Sequence, residues 1–242
     1  LYINLLSIYT FMKETKVKKD QIPINFSFIS NKGFKNYVIG ENNFVVKTLE
    51  IFAKGDPASI IFLKGNKSSG KSHLCSSVMA LSSKSICFLD KSNVVNIELD
   101  NILSHDLLII DDIDQIISEY NVEEKLFSAI NDFILNKKNI LVTSSKNLDE
   151  IDFKLPDLYS RLKWDQVLQI PELTDDDKIK VLQKISRERG WELPAHVCDY
   201  IMRHYKRDLY FLCNCIKFLD EASLSLKKKI TIPFIKKIIE CK

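Results

Sequence analysis

The stretch Gly65-Asn66-Lys67-Ser68-Ser69-Gly70-Lys71-Ser72 constrains this chain more than any other. It has the spacing G-x-x-x-x-G-K-[ST] and stands between a β-like run, Ser59 to Lys64, and a helix-compatible run, Lys71 to Leu81. Glycines at both ends let the chain bend tightly enough for successive backbone N–H groups to converge on phosphate oxygens, and the following helix offers its N-terminus to the same charge. On this reading Lys71 reaches the β- and γ-phosphates of a bound ATP or ADP and the Ser72 hydroxyl ligates Mg²⁺. Gly65, Ser69, Gly70 and His73 complete the candidate nucleotide-contacting set.

A second stretch completes the chemistry. Leu107-Leu108-Ile109-Ile110-Asp111-Asp112 is an unbroken apolar run closed by two acids, the pattern of a strand buried on both faces in a parallel sheet. Open α/β sheets bind ligands at the carboxyl ends of their strands. There Asp111 is expected to hold Mg²⁺, directly or through water, and Asp112 to orient or activate the attacking water. Ile140-Leu141-Val142-Thr143 is a further buried strand ending in Ser144-Ser145; these hydroxyls either sense the γ-phosphate or form a plain turn.

The remaining pattern alternates strands with helices. Ser85 to Leu89 reads as a strand, a weakly helical polar segment follows to about Ser104, Val122 to Leu135 reads as a helix with one broad apolar face, and Val167 to Ile170 as a last strand. A doubly wound parallel sheet follows, an αβα sandwich. From Thr174 onward the pattern is helical throughout: Thr174 with Asp177 makes a capping box, Gly190 stops the first helix, Leu193-Pro194 starts another, and Arg207 to Leu224 and Ile232 to Ile239 supply two more. The expected division is a flexible segment over 1–20, a separate peptide over 21–26, an α/β nucleotide-binding domain over 27–172 and a small all-helical lid over 173–242.

Composition excludes several classes. With 242 residues, 45% hydrophobic and 28% charged, the chain has an ordinary globular balance. A formal charge of +3 is too near neutral for a dedicated DNA-binding surface, and the lysine runs at 227–229 and 236–237 read as solvated helix ends. Six cysteines without C-x-x-C spacing give neither a zinc site nor a disulfide framework, so reduced thiols and a cytoplasmic location are expected. Leu1 to Phe11 is apolar but lacks a basic leader and is too short to span a bilayer. The first methionine is Met12, and residues 1–11 are expected to be an upstream artefact, with the natural chain beginning near Met12.

Gln21-Ile22-Pro23-Ile24-Asn25-Phe26 is extended by Pro23, with Ile22, Ile24 and Phe26 facing one way. It is either an edge strand or a docking peptide for an apolar groove.

In their order along the chain, these features resemble the AAA+ ATPases, and within them the nucleotide-binding core of the bacterial replication initiator DnaA. The likeness rests on Gly70-Lys71-Ser72-His73-Leu74, Ile109-Ile110-Asp111-Asp112-Ile113, Val142-Thr143-Ser144-Ser145, Ser160-Arg161-Leu162-Lys163-Trp164, Arg207-Asp208-Leu209 and Ile230-Thr231-Ile232-Pro233-Phe234-Ile235, within residues 37–240. It implies that Val38 and Ile39 line the adenine pocket, that Ser144 or Ser145 is the first sensor, that Arg161 is an arginine finger acting on a neighbour's nucleotide, and that Arg207 is a nucleotide-sensing lid arginine. The resemblance does not extend to the initiator's helix-turn-helix or oligomerisation domains, and there is little room for extra helices between the second strand and the acid pair. Origin binding and filament assembly are therefore not expected.

Residues 21–26 also resemble the sliding-clamp-binding peptide of the DnaA-homologous regulators that inactivate the initiator. The resemblance thus implies a regulator that binds adenine nucleotide, hydrolyses it weakly, docks through Gln21, Ile22, Ile24 and Phe26 on the β-subunit clamp, meets DNA only through the clamp, and stimulates ATP hydrolysis by DnaA in trans. Nucleotide-dependent self-association stays open. The alternatives are a loader-like ATPase acting on DNA and a non-catalytic clamp-bound adaptor.

Overall fold

The computed structural model describes residues 33–55, 58–117 and 120–240. The peptide Gln21 to Phe26 and the apolar start of the chain lie outside the described residues. The chain divides into two compact units, one ending at Asp177 and the other beginning at Lys178.

The first unit is built on five parallel strands: β1 (Ile60–Lys64), β2 (Ile86–Leu89), β3 (Leu107–Ile110), β4 (Asn139–Ser144) and β5 (Gln166–Gln169), in the order β2-β3-β4-β1-β5. Its helices are α1 (Asn43–Lys54), α2 (Lys71–Leu81), α3 (Leu99–Leu103), α4 (Ile113–Ile116), α5 (Tyr120–Leu135) and α6 (Pro156–Leu162). Side chains alternate across each strand, so the apolar runs supply two cores at once. Ile60, Phe62, Leu108, Ile110, Ile140 and Val142 pack under α3, α4, α5 and α6. Ile61, Leu63, Leu107, Ile109 and Leu141 pack on the opposite face under α1 and α2. This is the αβα sandwich expected from the unbroken apolar runs. One short helix, α3, occupies the span between β2 and β3.

The topology positions the site. β1 lies between β4 and β5, with Lys64 opposite both Ser144 and Gln169. The loop after β1 therefore emerges beside the ends of β4 and β5, and Gly65 N–H donates to the Ser144 carbonyl at 3.0 Å.

Thr174 and Asp177 make the expected cap at the start of α7 (Asp175–Glu188): the Asp177 N–H donates to Thr174 Oγ1 at 3.2 Å, and that hydroxyl lies 3.0 Å from Asp177 Oδ2. From Lys178 the second unit comprises the rest of α7, α8 (Ala195–His204), α9 (Leu209–Leu226) and α10 (Ile232–Ile235), which runs on into a π-helical turn over Lys236–Glu240. Leu182, Ile201, Leu212, Ile216, Leu219 and Ile235 are fully buried in its core. Arg189 Nε bonds Asp220 Oδ2 at 2.6 Å, tying the end of α7 to α9. Gly190, at φ +85°, ends α7 in the left-handed region. One detail differs from the sequence reading. Helix α9 starts at Leu209, because the Asp208 carboxylate caps it by accepting from Phe211 N–H at 2.8 Å, and this leaves Arg207 ahead of the helix. Cys213 and Cys215 are both buried, because α9 is covered on more than one side.

Candidate functional site

The turn after β1 needs both of its glycines. A side chain on Gly65 would run into Ser69 Oγ at 2.4 Å, and one on Gly70, at φ +97°, would meet the Tyr37 ring at 2.6 Å. Tyr37 also donates its hydroxyl to the Ser69 carbonyl at 3.1 Å, and burial pushes its pKa up to about 12. An aromatic wedge thus holds the turn from outside. His73, in the first turn of α2, packs its ring edge-on to Tyr37 at 5.6 Å, with Nε2 3.2 Å from the Gly33 carbonyl.

Inside the turn, Lys71 is buried. Its Nζ donates to the Gly65 carbonyl at 2.9 Å and stands 3.2 Å from Asp112 Oδ1. The Ser69 hydroxyl is buried without a hydrogen-bond partner. A buried polar group left unsatisfied in a folded chain is costly, and here it lines a turn whose geometry suits phosphate oxygens.

The acid pair divides its labour. Asp111 accepts from Ser72 Oγ at 2.7 Å and from Thr143 Oγ1 at 2.7 Å, with Cys75 Sγ at 3.8 Å. Ser72 and Asp111 therefore meet as two hard oxygen donors at the mouth of a phosphate turn, the set that fits Mg²⁺. Bound there, the ion would neutralise phosphate charge. Asp112 adopts a left-handed conformation, φ 51° and ψ 58°, which turns the chain from β3 into α4 and aims its N–H at Thr143 Oγ1, 2.8 Å away. Burial raises the Asp112 pKa by more than Lys71 lowers it, and neighbouring Asp111 adds to the rise. Burial also pushes the Cys75 thiol well up, as does Asp111, which leaves that thiol protonated and inert.

At the end of β4, Ser144 Oγ donates to Asp114 Oδ1 at 2.9 Å, Ser145 N–H to the same oxygen at 2.9 Å, and Ser145 Oγ to Asp114 Oδ2 at 2.5 Å. Burial alone would raise the Asp114 pKa, but the bonds from Ser145 and Ser144 outweigh it and lower it.

The adenine-pocket candidates follow Tyr37 in the chain. Val38 is half-buried and Ile39 exposed, just before Gly40, whose φ of +51° brings it against Asp177 and Leu173. Asn42, three residues after Ile39, is 1% exposed with neither amide atom bonded.

Arg161 lies elsewhere. It stands in the last turn of α6, on the sheet face opposite α2, with its guanidinium carbon 5.1 Å from the Trp164 ring centroid. Trp164 is 65% exposed and Arg161 half-buried, so the ring side of this pair meets solvent. Arg207 belongs to the second unit, where its Nε donates to the Met202 carbonyl at 3.2 Å.

The structure thus gathers Gly65, Ser69, Gly70, Lys71, Ser72, Asp111 and Asp112 around one cradle, with Ser144 reached through Asp114. Sequence reasoning missed Thr143, Asp114 and Tyr37 as members. Thr143 alone carried a signal, as the polar residue closing an apolar strand.

Among the described residues no helix is long and apolar enough to cross a membrane. Residues 88–169 match the model of the bacterial DnaA ATPase domain, and residues 175–239 that of the Hda lid domain. An uncharacterised protein of Haemophilus influenzae is 30% identical over 226 residues, covering 90% of this chain and 98% of that protein. Domain III of the Thermotoga maritima replication initiation protein DnaA superposes with a TM-score of 0.76 at 19% identity, over 87% of this chain and 96% of that one. AMPPCP-bound DnaA from Aquifex aeolicus superposes with a TM-score of 0.68 at 19% identity, over 87% of this chain and 68% of that one. With a parallel five-stranded nucleotide-type sheet followed by a helical unit that matches the Hda lid, the chain belongs to the Hda-like, DnaA-homologous AAA+ proteins.

Proposed function

We propose that this protein binds adenine nucleotide with Mg²⁺ in its own cradle, docks on the replication sliding clamp through residues 21–26, and presents Arg161 to ATP held by DnaA, promoting hydrolysis in trans. Lys71 contacts the β- and γ-phosphates, Ser72 and Asp111 hold the ion, Asp112 faces the hydrolytic water, Val38 and Ile39 flank the base, and Arg207 reads the nucleotide from the lid. The observation that carries the reading is the separation of two sets of groups. The phosphate turn leads into α2 on one face of the sheet, whereas Arg161 stands at the end of α6 on the other, stacked on an exposed tryptophan. An arginine so placed serves a neighbour better than its own turn.

The chemistry asked of Arg161 is charge stabilisation. A guanidinium beside a γ-phosphate offsets charge spreading onto its equatorial oxygens in the transition state, with rate gains of about 10³ to 10⁵ for such fingers. Trp164 limits the rotamers that Arg161 samples, so less order has to be imposed when the neighbour arrives.

The test is phosphate release from DnaA–ATP in the presence of clamp loaded on DNA, with and without this protein. Stimulation supports the reading. Clamp binding without stimulation would make the protein a tether, and DNA-dependent turnover by this chain alone would make it a motor. Alanine at Gln21, Ile22 and Phe26 is expected to abolish clamp binding and leave the melting temperature nearly unchanged; a large drop in melting temperature would mark those residues as an edge strand.

A further inference from the structure

The hydroxyls at the end of β4 have a fixed polarity. A hydroxyl carries one proton and two lone pairs, whereas an ionised carboxylate only accepts. The Asp114 carboxylate receives both available protons, from Ser144 Oγ at 2.9 Å and Ser145 Oγ at 2.5 Å. Ser144 Oγ is further used as the acceptor for Lys146 N–H at 2.9 Å, and Ser144 is fully buried. Thr143 is spent as well, donating to Asp111 and accepting from Asp112 N–H. What β4 still offers beside the phosphate turn is lone pairs, chiefly those of Ser145 Oγ. Phosphate oxygens are acceptors too, so lone pairs and the Asp114 charge both oppose a bond to them. Water can donate to such a group.

Resting on the nucleotide reading of the same cradle, we infer that Asp114 is a positioning residue that turns the end of β4 into a hydrogen-bond acceptor, so that Ser145 holds a water molecule beside the nucleotide and does not bond the γ-phosphate. Asp114 acts by claiming protons. An asparagine in its place would keep the two bonds at Oδ1, from Ser144 Oγ and Ser145 N–H, and would present an amide donor where Oδ2 now accepts. The Ser145 proton would then be released toward the phosphates.

The experiment titrates the protein with Mg²⁺–ADP and with the non-hydrolysable Mg²⁺–AMPPCP, comparing wild type, Ser145→Ala, Asp114→Asn and the double variant. The ratio of the two dissociation constants is expected to stay within twofold of wild type in Ser145→Ala. In Asp114→Asn it should shift at least fivefold toward AMPPCP, and the added Ser145→Ala should remove that gain. A merely structural role for Asp114 would weaken both ligands together and would not depend on Ser145. The inference is overturned if Ser145→Ala alone weakens AMPPCP at least fivefold while ADP is unaffected, a result that does not require the Asp114 variant to fold. Failure of the wild type to bind either nucleotide would overturn the nucleotide reading itself, and this inference with it.

Discussion

The cradle and the Arg161 corner show two ways of holding a functional charge. Lys71 is buried and wired to a carbonyl and a carboxylate of its own unit, whereas Arg161 is held by one aromatic ring on an exposed edge. Groups in the cradle are thus coupled to the fold as well as to the ligand. Arg161 is coupled mainly to whatever approaches it. Changes in the cradle should therefore disturb the chain itself, and changes at the corner should be silent until a partner is present.

The largest effect is expected for Lys71→Ala. Removing an ammonium that faces two phosphates should weaken ADP and ATP by at least about a hundredfold, or about 2.8 kcal/mol, measured by calorimetry on protein shown to be folded by circular dichroism. Unchanged affinity in a folded variant would break the cradle side of the comparison.

Asp114→Ala should come next. It removes the acceptor of the fully buried Ser144 Oγ and of Ser145 N–H, for a loss of about 1–3 kcal/mol in urea unfolding at neutral pH. Because the Asp114 pKa is lowered in the folded state, its contribution is present above the unfolded value near 3.9 and is lost as the pH falls through the folded value. Wild type should thus lose stability on acidification in a way that Asp114→Ala does not.

Asp112 should behave in the opposite sense. Its pKa is raised in the folded state, so its ionised form is disfavoured there, and stability falls as the pH rises from the unfolded value through the folded one. Asp112→Asn is expected to remove that fall, read as a flatter pH profile in urea unfolding; a wild-type profile that instead rises with pH would mean that the Lys71 ion pair outweighs burial. Asp111→Asn should chiefly weaken Mg²⁺-dependent binding, read as a smaller difference between titrations with and without the ion.

These pairs also mark where the sequence stops being informative. The strand at 107–110, the turn at 65–72 and the alternation of buried faces follow from local pattern, because parallel strands buried on both sides need unbroken apolar runs. The Asp114 bonds join residues 30 and 31 positions apart, and before the fold is known Asp114 looks like an ordinary acid in the first turn of a helix. Tyr37 reaches Ser69 across 32 positions with no motif to mark it. Arg207 was legible as a polar residue near a helix start, but its place ahead of α9 depends on Asp208 taking the cap. Arg161 was legible only through the residues around it, since an isolated arginine in a last helical turn also serves the helix dipole.

The smallest effect on the isolated chain is expected at Arg161, and there the central claim is tested most directly. Arg161→Ala should keep its melting temperature, its ADP affinity and its clamp binding, while its stimulation of DnaA–ATP hydrolysis on clamp-loaded DNA falls at least tenfold, about 1.4 kcal/mol of barrier. Arg161→Lys should fail nearly as badly, because a point charge does not replace a planar fork. Full stimulation by the alanine variant, or none by the wild type, would contradict the account.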